Sequence, residues 1–197
     1  MTENFADASV FLIQTFAGLY LILILLRFLM QVSKVDFYNP ICQAIVKVTD
    51  LPIKPLKKVI PTVRGVDFAT LLVALVFQIL AIALVMLLKG GYLFHPVYIA
   101  WSMVGLVSSI FDIYFFALIV MVISSWIAPH SNHPAMALVH QLTEPICAPA
   151  RKLLPPMGGL DFSIILVFVA ITLIDTYLVI QPLAHLLGIP QGLILGL

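Results

Sequence analysis

Charge is what this chain has least of: Asp, Glu, Lys and Arg make up 10% of its 197 residues, against roughly 25% in an ordinary soluble domain. A fold that hides a core behind an ionic surface is thereby excluded. Cysteine is scarce as well, with Cys42 and Cys147 the only two, and their places do not correspond within the internal repeat, so free thiols are expected rather than a disulfide framework. No Lys or Arg precedes the first apolar run, which follows Glu3 and Asp7. That run is also too long for a secretion signal and is expected to remain as a span. No block alternates polar and apolar residues, which excludes a membrane barrel. Nucleophile elbows, zinc-protease and phosphate-loop motifs and dinucleotide fingerprints are all missing, so no enzyme activity, catalytic residue or cofactor is expected.

What is present is hydrocarbon: 62% of the residues are hydrophobic and the mean hydropathy is +1.16. The apolar residues fall into four blocks, about 10–32, 68–88, 99–127 and 162–180. At about 1.5 Å rise per residue, each can cross a hydrocarbon core of roughly 30 Å as a helix. The fold class is therefore all-α, a polytopic membrane protein with four transmembrane helices.

The chain repeats itself at a spacing of 94 residues: Tyr20 and Tyr114, Pro40 and Pro134, Thr49 and Thr143, Lys58 and Lys152 all correspond. Such a period marks a duplicated unit, here residues 1–94 and 95–197. Two spans per unit make the repeats parallel rather than inverted, hence two like-oriented helical hairpins. Lys34, Lys47, Lys54, Lys57, Lys58 and Arg64 lie between the first two spans, and Arg151 and Lys152 between the last two. By the positive-inside rule both connectors face the cytoplasm and both termini face outward. Ile41, Ile45 and Val48, answered by Leu138, Val139 and Leu142, suggest that each connector begins as an amphipathic helix on the membrane surface. Asn39 suits its N-cap and Pro40 its first turn. Pro52, Pro55 and Pro61, with Pro145, Pro149, Pro155 and Pro156, should then forbid a long regular helix and turn the chain repeatedly.

Each connector ends in a proline-bracketed basic tract, Pro55 to Pro61 with Lys57 and Lys58, and Pro149 to Pro155 with Arg151 and Lys152. A Gly-apolar-Asp-Phe motif follows, Gly65 to Phe68 and Gly159 to Phe162. Glycine permits the positive backbone angles of a reversal, while Asp67 and Asp161 suit N-caps of the next span. With Leu26-Arg27-Phe28 and the run Asp36 to Pro40, this doubled pattern resembles the YggT family of small bacterial and plastid membrane proteins, over about residues 19–180. The resemblance implies a multi-pass protein of the bacterial inner membrane, associated with envelope organisation, cell or plastid division and tolerance of osmotic stress. It carries no catalytic residues with it. One departure stands out: the first unit reads Thr49-Asp50-Leu51-Pro52 where the second has the family-like Thr143-Glu144-Pro145.

Three ionisable residues fall inside the spans, Arg27, Asp112 and Asp175, and such residues are functional candidates by default. Arg27 lies near enough to its span's end to snorkel to the phosphates. Asp112 and Asp175 should sit at similar depth, either as structural polar residues or as a carboxylate pair on an ion or proton path. Gly105, Ser108 and Ser109 could break the long third block and bring Asp112 near water. Gly18, Gly105, Ser108, Ser124 and Ser125 are small enough to permit close helix contact. His130, His133, His140 and Glu144 have spacing that metals tolerate, but the first unit offers no counterpart, so no metal is expected. Lys57, Lys58, Arg151 and Lys152 either fix topology alone or dock on anionic lipid head groups or on a cytoplasmic or membrane partner. The expected function is a scaffold or adaptor of the envelope, division or osmotic-stress machinery. The alternative is a small homo-oligomeric ion or solute channel using Asp112 and Asp175. No nucleic-acid partner is expected.

Overall fold

The structure, a computed structural model, describes residues 2–63, 65–127, 133–154, 161–190 and 192–193, the side chains of 2–4 and 6 excepted. The described residues form α1 (Thr2–Val32), α2 (Pro40–Lys57), α3 (Phe68–Leu88), α4 (Val97–Ile127), α5 (Pro134–Leu153), α6 (Ser163–Thr172), a π-helical segment (Leu173–Leu178) and α7 (Ile180–Leu186). Among the described residues four stretches are long and apolar enough to cross a membrane: Asp7–Val32, Phe68–Leu88, Val97–Ile127 and Ser163–Leu186. The four-span all-α architecture is thus present.

Apolar side chains cover these spans on every side, as lipid requires, so helix contact rests on close packing and on a few polar bonds. The central cluster draws Leu21, Ile24, Leu25 and Leu29 from α1, Val73 and Ala74 from α3, and Leu106, Ile113 and Ala117 from α4. Ile53 of α2 and Leu142 of α5 join it from the connectors. A second cluster at the far end gathers Val10, Ile82, Val85, Tyr98 and Trp101. A third packs α4, α5 and α6 through Leu118, Met121, Cys147 and Val167.

The connectors begin as expected and continue differently. The Asn39 side chain caps α2, its Oδ1 accepting from the Ile41 amide at 2.9 Å, with Pro40 in the first turn. Both connector helices are amphipathic, but the buried stripe of α2 is Cys42, Ile45, Thr49 and Ile53, while Val48 is 52% exposed. Thr49 joins the buried face because its hydroxyl bonds the Ile45 carbonyl at 2.7 Å, which satisfies it within its own helix.

The prolines do not turn the chain as the sequence suggests. α2 runs through Pro52 and Pro55, and α5 through Pro145 and Pro149. Each proline removes one donor to the carbonyl four residues back, and at Pro52 a side chain of α1 makes good the loss. The Tyr20 hydroxyl donates to the Val48 carbonyl at 3.4 Å, where the amide of residue 52 would otherwise bond. Pro55 deprives Leu51 in the same way, at a residue that is 88% exposed. The reversal comes later: Val63 and Val66 exchange backbone bonds of 3.1 and 2.9 Å, with Gly65 at φ 86° between them.

The third span is likewise unbroken at Gly105, Ser108 and Ser109. All three are buried against neighbouring helices. The irregular turn falls instead in the last span, from Leu173 to Leu178, with Asp175 inside it.

Candidate functional site

α2 and α5 lie at the same end of the bundle, since α1 and α4 both run into them and α3 and α6 both run out of them. They are tied together by polar bonds across the repeat. Asn39 Nδ2 donates to the Pro134 carbonyl at 2.7 Å, the Asp36 amide to Gln141 Oε1 at 2.8 Å, and Ser33 Oγ to the Leu142 carbonyl at 3.3 Å. Beneath them Met30, Val35, Cys42, Ile45 and Leu138 form a shared apolar cluster. The two connectors are therefore one surface.

The basic tracts divide into two kinds of residue. Lys57 Nζ meets Asp67 Oδ2 at 2.5 Å, and Arg151 Nε donates to Asp161 Oδ2 at 2.8 Å. These pairs join the end of each connector helix to the residue that opens the next span. Lys58 and Lys152 are exposed. Asp67 is the N-cap of α3, accepting from the Thr70 amide at 3.2 Å and the Thr70 hydroxyl at 2.7 Å. Asp161 stands one residue before the cap position of α6 and accepts from the amide of Ser163 at 3.0 Å and from its hydroxyl. The difference is local: Ile164 occupies the place of Thr70, so the hydroxyl comes from Ser163, where the first unit has Ala69. Burial would push the Asp67 carboxyl up, but hydrogen bonds from Lys57 and Thr70 outweigh it and hold it below the ordinary carboxylate range. Asp161 is lowered in the same way, burial being overcome by Ser163 and Arg151. Hydrogen bonds to Asp161 and Glu144 raise Arg151 further above its already high value.

Arg27 does not snorkel. Only 6% of it is exposed, and its Nη1 reaches sideways to Asp50 Oδ1 at 2.9 Å, Thr49 Oγ1 at 2.9 Å and the Val46 carbonyl at 3.1 Å. A buried guanidinium is costly unless paired, and α2 supplies three acceptors. The second unit has Met121 at this position, and Thr143 lies 3.4 Å from its Sδ. Glu144, freed from that task, turns to Arg151 Nη1 at 2.7 Å. The departure between Asp50 and Glu144 thus tracks their partners. Arg at 151, rather than Lys, has a fork that serves two carboxylates at once.

Deep in the bundle the structure brings Asp175 to Ser108, whose hydroxyl donates to Oδ1 at 3.3 Å. Asp112 lies one turn beyond Ser108 on the same face of α4. Both carboxylates are partly buried.

Family comparison places the chain among known proteins. The CCB3/YggT family matches twice, over residues 6–88 and 100–182. The chain belongs to the CCB3/YggT family. It is 42% identical over 190 residues to an uncharacterized protein, PA0392, of Pseudomonas aeruginosa, covering 94% of this chain and 95% of that one. It is 40% identical over 153 residues to the uncharacterized YggT of Escherichia coli K12, covering 78% and 79%. An uncharacterized Vibrio alginolyticus protein is 36% identical over 163 residues, covering 82% and 88%. No solved structure matches the chain.

Of the remaining sequence candidates, Pro155, Gly159, Arg64 and His130 lie outside the described residues. Pro61 and Phe68 flank the reversal, Pro149 lies inside α5, and Phe162 opens α6. His133 caps α5 through the Ala135 amide at 3.2 Å. Among the described residues no three His, Cys, Asp or Glu side chains gather in a metal-binding group. Sequence reasoning missed the Arg27–Asp50 pair in this YggT-family chain. The signal that pointed to it was the unexplained Asp50 in a repeat whose other copy has Glu144.

Proposed function

We propose that this protein is a non-enzymatic scaffold of the bacterial inner membrane, presenting α2 and α5 to the cytoplasm as one docking platform. The observation that carries this reading is the bonding of the two connectors to each other and, through Lys57–Asp67 and Arg151–Asp161, to the spans that follow. A loop that served only to link spans would not need such fixing. The platform offers exposed Leu51, Val59 and Leu153 beside Lys54, Lys58 and Lys152. Apolar residues among cations suit a partner with an acidic, amphipathic segment, or the anionic head groups next to it. The resemblance to the YggT family directs the choice of partner towards envelope, division and osmotic-stress proteins. A photo-crosslinking residue placed at Lys58 and at Lys152 in living cells should capture the same protein. Different captures at the two positions, or lipid alone at both, would refute a shared protein platform.

A second reading has its own observation: Asp112 and Asp175 converge beside Ser108 at a π-helical segment, and such segments often mark functional sites. On this reading oligomers conduct a cation or protons. Asp112→Asn with Asp175→Asn should abolish flux into liposomes while leaving crosslinking at Lys58 intact. Absence of flux with the unaltered protein would dispose of it.

A further inference from the structure

Between α1 and α3 of the first unit lies a cavity of about 250 Å³, with Gly192 and Leu193 at the end remote from the connectors. Gln14 Nε2 holds that turn in place through the Gly192 carbonyl at 2.7 Å. The cavity is also lined by Gln78. Gln78 is 3% exposed, and neither its Nε2 nor its Oε1 has a hydrogen-bond partner among the described residues. Buried amides left in this condition are rare, because they lose their bonds to water without replacement.

Three observations define what would satisfy it. Gln78 lies ten residues beyond Phe68, about 15 Å along α3 and therefore near the middle of the hydrocarbon. Phe11 and Thr15, also on the cavity wall, are exposed on the flank of α1, so the opening faces lipid. Among the described residues no charged side chain lines the cavity, so these walls offer neither a cation nor an anion a counter-charge.

The repeat sharpens the point. Gly18 and Ala81 of this cavity occupy the positions of Asp112 and Asp175 in the second unit, and Gln14 and Thr15 those of Ser108 and Ser109. Where one copy places carboxylates, the other places small residues that open space. The duplicated location is polar twice, with carboxyl groups in one copy and a carboxamide in the other.

We propose that this cavity binds a neutral, hydroxyl-bearing lipid amphiphile that enters from the bilayer. A hydroxyl donates to Oε1 and accepts from Nε2, answering both halves of the carboxamide. Its chain packs against Phe77 and Leu21. This site is independent of the connector platform.

The test uses the full chain in phosphatidylcholine nanodiscs and two photoreactive probes, a diazirine-bearing octanol and the matching diazirine-bearing octane. The octanol should label residues 11–21 or 77–85 saturably and about tenfold more strongly than the octane, the preference expected of a buried hydrogen bond. Gln78→Leu should erase that preference while melting no lower than the unaltered protein. Ala81→Leu, which fills the space and leaves the Gln78 carboxamide in the chain, should remove labelling by both probes. Equal labelling by the two probes, an octanol preference that survives Gln78→Leu, labelling mapped outside the cavity, or no saturation would each overturn the proposal.

Discussion

At the scale of residues, the duplicated chain provides its own controls. Arg27 and Met121 occupy equivalent places, one charged and held by Asp50, the other apolar and packed on Thr143. Removing a partner from a buried ion pair costs about 3–5 kcal/mol, and the one-third exposure of Asp50 lowers that figure here. Arg27→Ala should therefore destabilise by about 2–3 kcal/mol, read as a fall in melting temperature in detergent. Arg27→Met, which copies the second unit, should recover part of that loss by refilling the space. Equal losses for the two variants would show that charge alone matters at this position. The capping aspartates give a second prediction. Their values are lowered in the folded protein, so their contribution is complete above the ordinary carboxylate value of about 3.9 and is lost as pH falls through the folded value. The melting temperature should drop below about pH 4, and Asp67→Asn should flatten that drop. A variant with the slope of the unaltered protein would show that acid unfolding begins elsewhere. These aspartates could be read from the sequence as helix caps, because a cap is local. Their cationic partners could not, because pairing depends on how far the connector helix runs. Arg27 is hidden from sequence for the same reason: its acceptors Val46, Thr49 and Asp50 lie on α2, and no local pattern shows that this helix packs beside α1.

At the scale of elements, apolar run length marks the first three spans to within three residues and ends the last at 180 where it runs to Leu186, whereas the proline rule fails in both connectors. A proline orphans the carbonyl four residues back and crowds it with its ring, and a helix bears this more easily where another donor reaches that carbonyl. Tyr20 is that donor for Val48, and it belongs to a different helix, α1, which no local rule consults. This makes a double-mutant cycle informative. Tyr20→Phe should cost about 0.5–1.5 kcal/mol in the presence of Pro52, the net worth of a typical hydrogen bond. In a Pro52→Ala background, residue 52 regains an amide that can reach Val48, and the same substitution should cost close to nothing. Additive effects, measured by denaturation in mixed micelles, would mean that the 3.4 Å contact does not stand in for the amide that Pro52 lacks. The π-helical segment was equally hidden. Leu173, Ile174 and Leu178 match apolar residues of the regular α3, and the differences, Asp175, Thr176 and Tyr177 for Ala81, Ile82 and Ala83, carry no proline or glycine that would mark a break.

At the scale of the whole molecule, parallel hairpins and a shared connector surface stand or fall together. If α2 and α5 bond to each other across the repeat, residues 58 and 152 must lie on one side of the membrane, whichever side that is. The chain is well suited to a thiol test because its own cysteines are shielded. Cys42 and Cys147 are both 0% exposed, and burial raises both thiols, so little reactive thiolate is present at neutral pH. Lys58→Cys and Lys152→Cys can therefore be introduced singly without removing the native pair. A membrane-impermeant maleimide should leave both variants unlabelled in intact cells and label both once the membrane is opened, while the unaltered chain stays unreactive throughout. Labelling of both in intact cells would keep the paired surface and reverse its orientation, removing the cytoplasmic platform. Labelling of one and not the other would separate α2 from α5 by the thickness of a bilayer, and the hydrogen bonds between Asn39 and Pro134 and between Asp36 and Gln141 could not exist.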